Sequence, residues 1–206
     1  MTDTMQFYFN KPQRSIGVSG IVFDILAASR RVAMACAWFT DMDIAQAIVQ
    51  SKAHDKIVVL SQADLKRGDS RACNLLMDNA KDGSAFELEV IGSNDFKEGI
   101  MHNKFIVADN VVWTGSYNFT YQARKNYETL IRIEGEAAAD IFYGEINDLT
   151  CECALWDGSS QFAVSNGAFR CVHCERIKPI SELGSGDNSC PSCKSCLSGG
   201  ARYANP

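Results

Sequence analysis

MHNKFIVADNVVWTGSYNFT, residues 101–120, sets one histidine, one lysine and several small polar residues into an otherwise apolar, β-like run. The runs 101–107 and 111–117 read as two strands, and Asp109-Asn110 between them supplies the chemistry of a tight turn, so the pair is expected to form a hairpin. On a strand, residues i and i+2 face the same way, so His102 and Lys104 project together while Phe105 and Val107 point to the other side. Past the turn, Ser116 and Asn118 repeat that relation after Gly115. Facing strand ends therefore bring an imidazole, an ammonium, a hydroxyl and an amide towards one spot. An imidazole is a potential nucleophile. The other three hydrogen-bond or neutralise an anion, a set that suits phosphoryl chemistry better than acyl transfer or redox work.

The flanking sequence supplies a scaffold for that hairpin. Residues 15–31 place Ile16, Ile21, Val22, Ile25 and Leu26 along one helical face, and 31–39 is a continuous apolar run of the kind a buried strand shows. Thr40 reads as an N-cap, with Asp41 and Asp43 in the first turn and Ile44, Ile48 and Val49 on one helical face. KIVVLS (56–61) and FELEVI (86–91) are further strands around a helix at 69–81. ETLIRIE (128–134) is another strand, and 136–150 a closing helix. The alternation predicts an α/β domain: a mixed, largely parallel sheet flanked by helices.

Composition changes near residue 150, which divides the chain into a domain at 1–150 and a Gly-, Ser- and Cys-rich module at 151–206. Of nine cysteines, only Cys36 and Cys73 precede that boundary. CVHC (171–174) and CPSC (190–193) give two Cys-x2-Cys pairs separated by fifteen residues, the arrangement of a zinc ribbon. Cys171, Cys174, Cys190 and Cys193 would hold one Zn²⁺ with no open position, so its expected role is structural. His173, Cys196, Cys151 and Cys153 are left outside that set.

In order, His102-x-Lys104-x4-Asp109 and Gly115-Ser116-x-Asn118 resemble the HKD motif of the phospholipase D superfamily, and Asn126-x-Glu128 resembles its trailing Asn-x-Glu element. The resemblance spans residues 10–150 or so, and is closer to the superfamily's small bacterial endonucleases than to its long two-motif lipases. It implies that His102 attacks phosphorus and forms a phosphohistidine, that Lys104 and Asn118 hold phosphoryl oxygens with help from Ser116, and that Glu128 orients the imidazole. Asp109 would fix the turn, and the chemistry would need no metal. Such enzymes use two HKD motifs, one histidine attacking and the other protonating the leaving oxygen. This chain has His54, His102 and His173, with only His102 in a motif, so the resemblance implies a two-fold homodimer.

The expected function is thus a metal-independent phosphodiesterase acting on DNA or RNA. A phospholipase or phosphatidyl transferase, and a non-catalytic nucleic-acid-binding protein, are the alternatives. Net charge is −5, which disfavours a broad basic surface for long duplex DNA but leaves room for a local phosphate site. The N-terminal ten residues carry no export signal, and runs such as 32–39 fall far short of the ~20 apolar residues of a membrane span, so a soluble, cytoplasmic protein without membrane contact is expected. His54 reads as exposed, Trp38 and Trp113 as core. Tyr117, Phe119 and Tyr121 read as packing residues or a base-stacking face, and Arg124 and Lys125 as phosphate contacts or solvated surface.

Overall fold

The computed structural model describes residues 2–12, 17–65, 70–80, 86–91 and 100–151, with three short strands beyond them. β1 (Thr4–Asn10) leads to α1 (Val18–Ala27), β2 (Arg31–Cys36), α2 (Met42–Gln50), β3 (Asp55–Ser61), a one-turn α3 (Gln62–Leu65), α4 (Arg71–Ala80) and β4 (Glu87–Ile91). The hairpin β5 (Lys104–Ala108) and β6 (Val111–Gly115) follows, then a 3-10 turn at Ala123–Lys125, β7 (Glu128–Glu134) and α5 (Glu136–Cys151). Two-residue β8 (Ala154–Leu155) lies beside β4, while β9 (Ala168–Arg170) pairs with β10 (Ile177–Pro179). The cysteines expected to bind zinc, Cys171, Cys174, Cys190 and Cys193, lie outside the described residues.

The sheet runs β1-β7-β6-β5-β2-β3-β4-β8. It is the mixed α/β sheet flanked by helices that the sequence predicts, with one correction: it is mostly antiparallel. Only β2–β3 and β3–β4 pair in parallel, joined by crossovers through α2 and α4. The hairpin enters antiparallel to β2, and β7 and β1 then add by antiparallel pairing. β2 and β3 are buried on both faces, as their unbroken apolar runs require.

One face packs Ile21, Ile25, Ile44, Ile48 and Leu76 from α1, α2 and α4 against Val32, Met34, Val58 and Leu60. The other packs Ala139 and Ile146 of α5 against Ala33, Ala35, Val59 and Val107. Trp113 is core, its indole N–H donating to Asp24 at 2.8 Å. Tyr117 and Phe119 are fully buried, whereas Tyr121 is exposed. Cys36 and Cys73 are free, buried thiols, each pushed up to about 12 by burial. The N-cap of α2 is Asp41 rather than Thr40: its carboxylate accepts from the backbone of Asp43 and Ile44. That carboxylate is fully buried and also holds Arg124, so a fixed ion pair accompanies the cap.

The hairpin turn is pinned by Asp109, which adopts φ 52° and accepts the backbone N–H groups of Ser29, Arg30 and Arg31 at 2.9, 2.8 and 3.0 Å. Burial alone would raise this carboxyl. The three N–H donors and the Arg30 charge outweigh that and hold it below its ordinary value. Asp109→Ala should therefore cost roughly 2 kcal/mol in urea unfolding, from lost charge-assisted bonds and a left-handed alanine. The carboxylate's contribution is present above its unfolded pKa and is lost as pH falls through the depressed folded value. A difference between wild type and variant that persists undiminished at pH 2 would contradict this.

Candidate active site

β5 begins at Lys104, β6 ends at Gly115 and β7 begins at Glu128, so three neighbouring strands deliver residues to one end of the sheet. An open cleft of about 730 Å³ lies there, lined by His102, Lys104, Ser116 and Asn118 among others. Four of the six residues singled out in the sequence thus share one cavity. His102 precedes the strand and is exposed. Its segment is held by the backbone N–H of Ala37 donating to Asn103 O at 2.9 Å.

The Lys104 ammonium folds back to donate to the carbonyl of His102 at 2.8 Å, placing its charge beside the histidine. Burial lowers the Lys104 pKa, and burial together with the Lys104 charge lowers that of His102. The imidazole is therefore biased towards its neutral, nucleophilic form. Asn118 contributes a carboxamide whose oxygen is buried without a hydrogen-bond partner.

Ser116 and Glu128 are coupled to each other. The Ser116 hydroxyl donates to Glu128 Oε2 and accepts the Thr129 N–H at 3.0 Å, while Asn126 Nδ2 donates to Glu128 Oε1 at 3.3 Å. Among the described residues, no side chain hydrogen-bonds the His102 imidazole. Gly115 permits this arrangement. Its φ is +142°, and a Cβ there would overlap the Thr129 carbonyl oxygen, which accepts the Ser116 N–H at 3.0 Å.

Asp109 sits at the far end of β5, away from the cleft. Arg124 is also elsewhere: its guanidinium is committed to Asp41 and Asp43, so it is an internal strut and not a phosphate contact. Lys125 is exposed, as is His54. The sequence did not reveal the opposite wall of the cleft, where α5 sets Ile141, Phe142 and Glu145. Their i, i+1, i+4 spacing marks a helix face, but what that face borders is a tertiary fact. Glu145 also accepts the Asn103 amide at 3.2 Å. No group of three or more His, Cys, Asp or Glu among the described residues is placed to hold a metal ion. No helix among them is long and apolar enough to cross a membrane.

Residues 21–149 match the family model described as cardiolipin synthase, PLD-like domain, so the chain belongs to the phospholipase D superfamily. No curated protein matches its sequence. Among solved structures, NucT from Helicobacter pylori aligns with a TM-score of 0.63 at 18% identity, over 75% of this chain and 100% of that one. Nuc from Salmonella typhimurium, described as a phospholipase D family member, gives 0.62 at 26% identity, over 75% and 99%. The phosphatidylserine synthase of Haemophilus influenzae gives 0.56 at 11% identity, over 75% of this chain but 40% of its own.

Proposed function

We propose that the protein is a metal-independent phosphodiesterase that cleaves nucleic acid through a covalent intermediate on His102, in a site shared by two copies of the chain. The observation that carries this reading is the convergence of His102, Lys104 and Asn118 on one open cleft, with the lysine charge beside the imidazole. Lys104 supplies positive charge for the phosphoryl oxygens, and Asn118 a carboxamide to hold them. An imidazole nitrogen of His102 attacks phosphorus, and the bond to the leaving oxygen breaks as the partner's His102 gives that oxygen a proton. Water, losing a proton to that same imidazole, then attacks phosphorus, and the P–N bond breaks to restore neutral His102. Glu128, held by Ser116 and Asn126, keeps lone pairs for the partner's imidazole.

Similarity to Nuc and NucT supports a nucleic acid over a lipid substrate. The chain spans essentially all of Nuc and NucT but 40% of the phosphatidylserine synthase. TrmBL2, an archaeal chromatin protein described as having a novel mode of DNA binding, shares the fold at a TM-score of 0.50, 18% identity and 72% of this chain against 52% of its own. The acidic balance of the chain favours single-stranded or flexible substrates over long duplex. For residues 151–206 we propose the zinc ribbon, with Cys171, Cys174, Cys190 and Cys193 as structural Zn²⁺ ligands and no part in catalysis.

The test is cleavage of labelled single- and double-stranded DNA and RNA with EDTA present, alongside phosphatidylglycerol vesicles. Cutting of a nucleic acid that survives the chelator supports the reading. Hydrolysis of the lipid alone moves the same residues to a lipid phosphodiester. No turnover of any substrate leaves the binding-protein alternative.

A further inference from the structure

The loop from Asn118 to Glu128 carries two exposed tyrosines on a backbone that is tied down. Tyr121 is 61% exposed and Tyr127 75%. Buried Asn10 sets its amide nitrogen 3.0, 3.0 and 2.9 Å from the carbonyl oxygens of Ala123, Arg124 and Asn126. The Tyr121 N–H donates to Thr40 Oγ1, and the Ala123 N–H to Thr120 Oγ1, each at 3.0 Å. The Arg124 guanidinium, fixed by Asp41 and Asp43, lies 5.3 Å from the centroid of the Tyr121 ring. The Lys125 ammonium lies 5.7 Å from the same centroid, is exposed, and forms no ion pair with another described residue.

These groups adjoin the cleft. Asn118 lines it, and Tyr121 follows three residues later, a reach of at most about 10 Å. Tyr127 precedes Glu128, which accepts from Ser116 of the cleft. Thr40 and Asp41, the anchors of Tyr121 and Arg124, lead into α2, so Tyr121 stands towards α2 and away from the α5 wall.

A lone exposed aromatic is ordinary on a protein surface. Two on one pinned loop, beside a phosphate cleft and an ammonium, match what a single strand presents: flat bases strung on phosphates. We propose that Tyr121 and Tyr127 stack bases next to the scissile phosphate while Lys125 contacts a flanking phosphate, a subsite that selects single strands and rests on the nuclease reading above. Arg124 stays with its aspartates, whereas the flexible lysine is free to turn from ring to phosphate. The bases of a duplex are stacked on one another and offer no face to the rings. Every base has such a face, so the subsite tolerates any sequence. An apolar protein partner would strip water from the ammonium, whereas a phosphodiester neutralises it.

The experiment measures binding by full-length protein carrying His102→Ala, so that nothing is cut. The probes are short oligothymidylate and oligouridylate, and an oligomer of equal length built from abasic tetrahydrofuran units. Oligomers with bases should bind roughly 10-fold or more tighter than the abasic one. Tyr121→Ala and Tyr127→Ala should each erode that preference several-fold without changing abasic affinity, and Tyr121→Phe should keep it. Lys125→Ala should instead weaken all probes alike and reduce the salt slope by roughly 0.7. The two tyrosines are separate positions, so one misfolded variant leaves the other to decide. Equal affinity with and without bases, or tyrosine variants that weaken every probe alike, would overturn the platform and leave the nuclease reading standing. Unchanged binding with altered sedimentation would give the tyrosines to a protein contact and overturn it too. A wild type that hydrolyses phosphatidylglycerol and cuts no oligonucleotide would remove the nuclease reading, and the platform with it.

Discussion

His102→Ala should lower phosphodiester turnover by on the order of 10⁴-fold or more, because it removes the nucleophile outright. The side chain is exposed and makes no hydrogen bond to another described residue, so stability should stay within about 0.5 kcal/mol of wild type. Oligonucleotide affinity should persist, since Lys104 and Asn118 remain in the cleft. The wild-type pH profile provides a second check. A nucleophilic imidazole must be neutral, and burial with the Lys104 charge places its pKa below the ordinary 6.5. The acid limb of kcat/KM should therefore lie below pH 6.5 and vanish with the residual rate of the alanine variant. An acid limb well above that value would mean that another group controls the step.

Lys104→Met is the second large effect, with an expected loss on the order of 10³-fold in kcat/KM. The thioether chain replaces the aliphatic stem but cannot neutralise phosphoryl oxygens. Stability should move the other way or not at all. Burial depresses the folded-state pKa of Lys104, so below that value the charged lysine is a burden the folded chain carries and the unfolded chain does not. Melting curves near neutral pH beside kinetics separate the two effects: a Met variant that loses both activity and stability would show that the ammonium holds the hairpin together through the His102 carbonyl.

Where apolar runs are unbroken, the fold is visible in the sequence. β2, β3 and the β5–β6 hairpin fall where RVAMAC, KIVVLS and the two halves of the 101–117 run suggest, and Asp109 turns between them. Pairing direction is not visible, because a strand buried on both faces reads the same in parallel and antiparallel ladders. β1 escaped for a different reason. Its Met5, Phe7 and Phe9 alternate outward, away from the chain's own core, and so give no core signal. The convergence of His102, Lys104, Ser116 and Asn118 followed from the hairpin, whose paired strands bring their flanking residues to one end of the sheet, although only Lys104 lies within a strand. The bond from Ser116 to Glu128 did not, since it depends on how β6 and β7 sit side by side around Gly115. Nor did the α5 wall, which packs beside the cleft from more than twenty residues further along the chain.

The most direct measurement is intact-mass analysis of protein quenched in mild base during turnover of a short oligonucleotide, followed by peptide mapping. A phosphorus–nitrogen linkage is acid-labile, so the quench must avoid low pH. The mechanism predicts a phosphoryl adduct on His102 that accumulates in the wild type and is absent from His102→Ala. Turnover with no adduct under single-turnover sampling, or an adduct on a different residue, would contradict it.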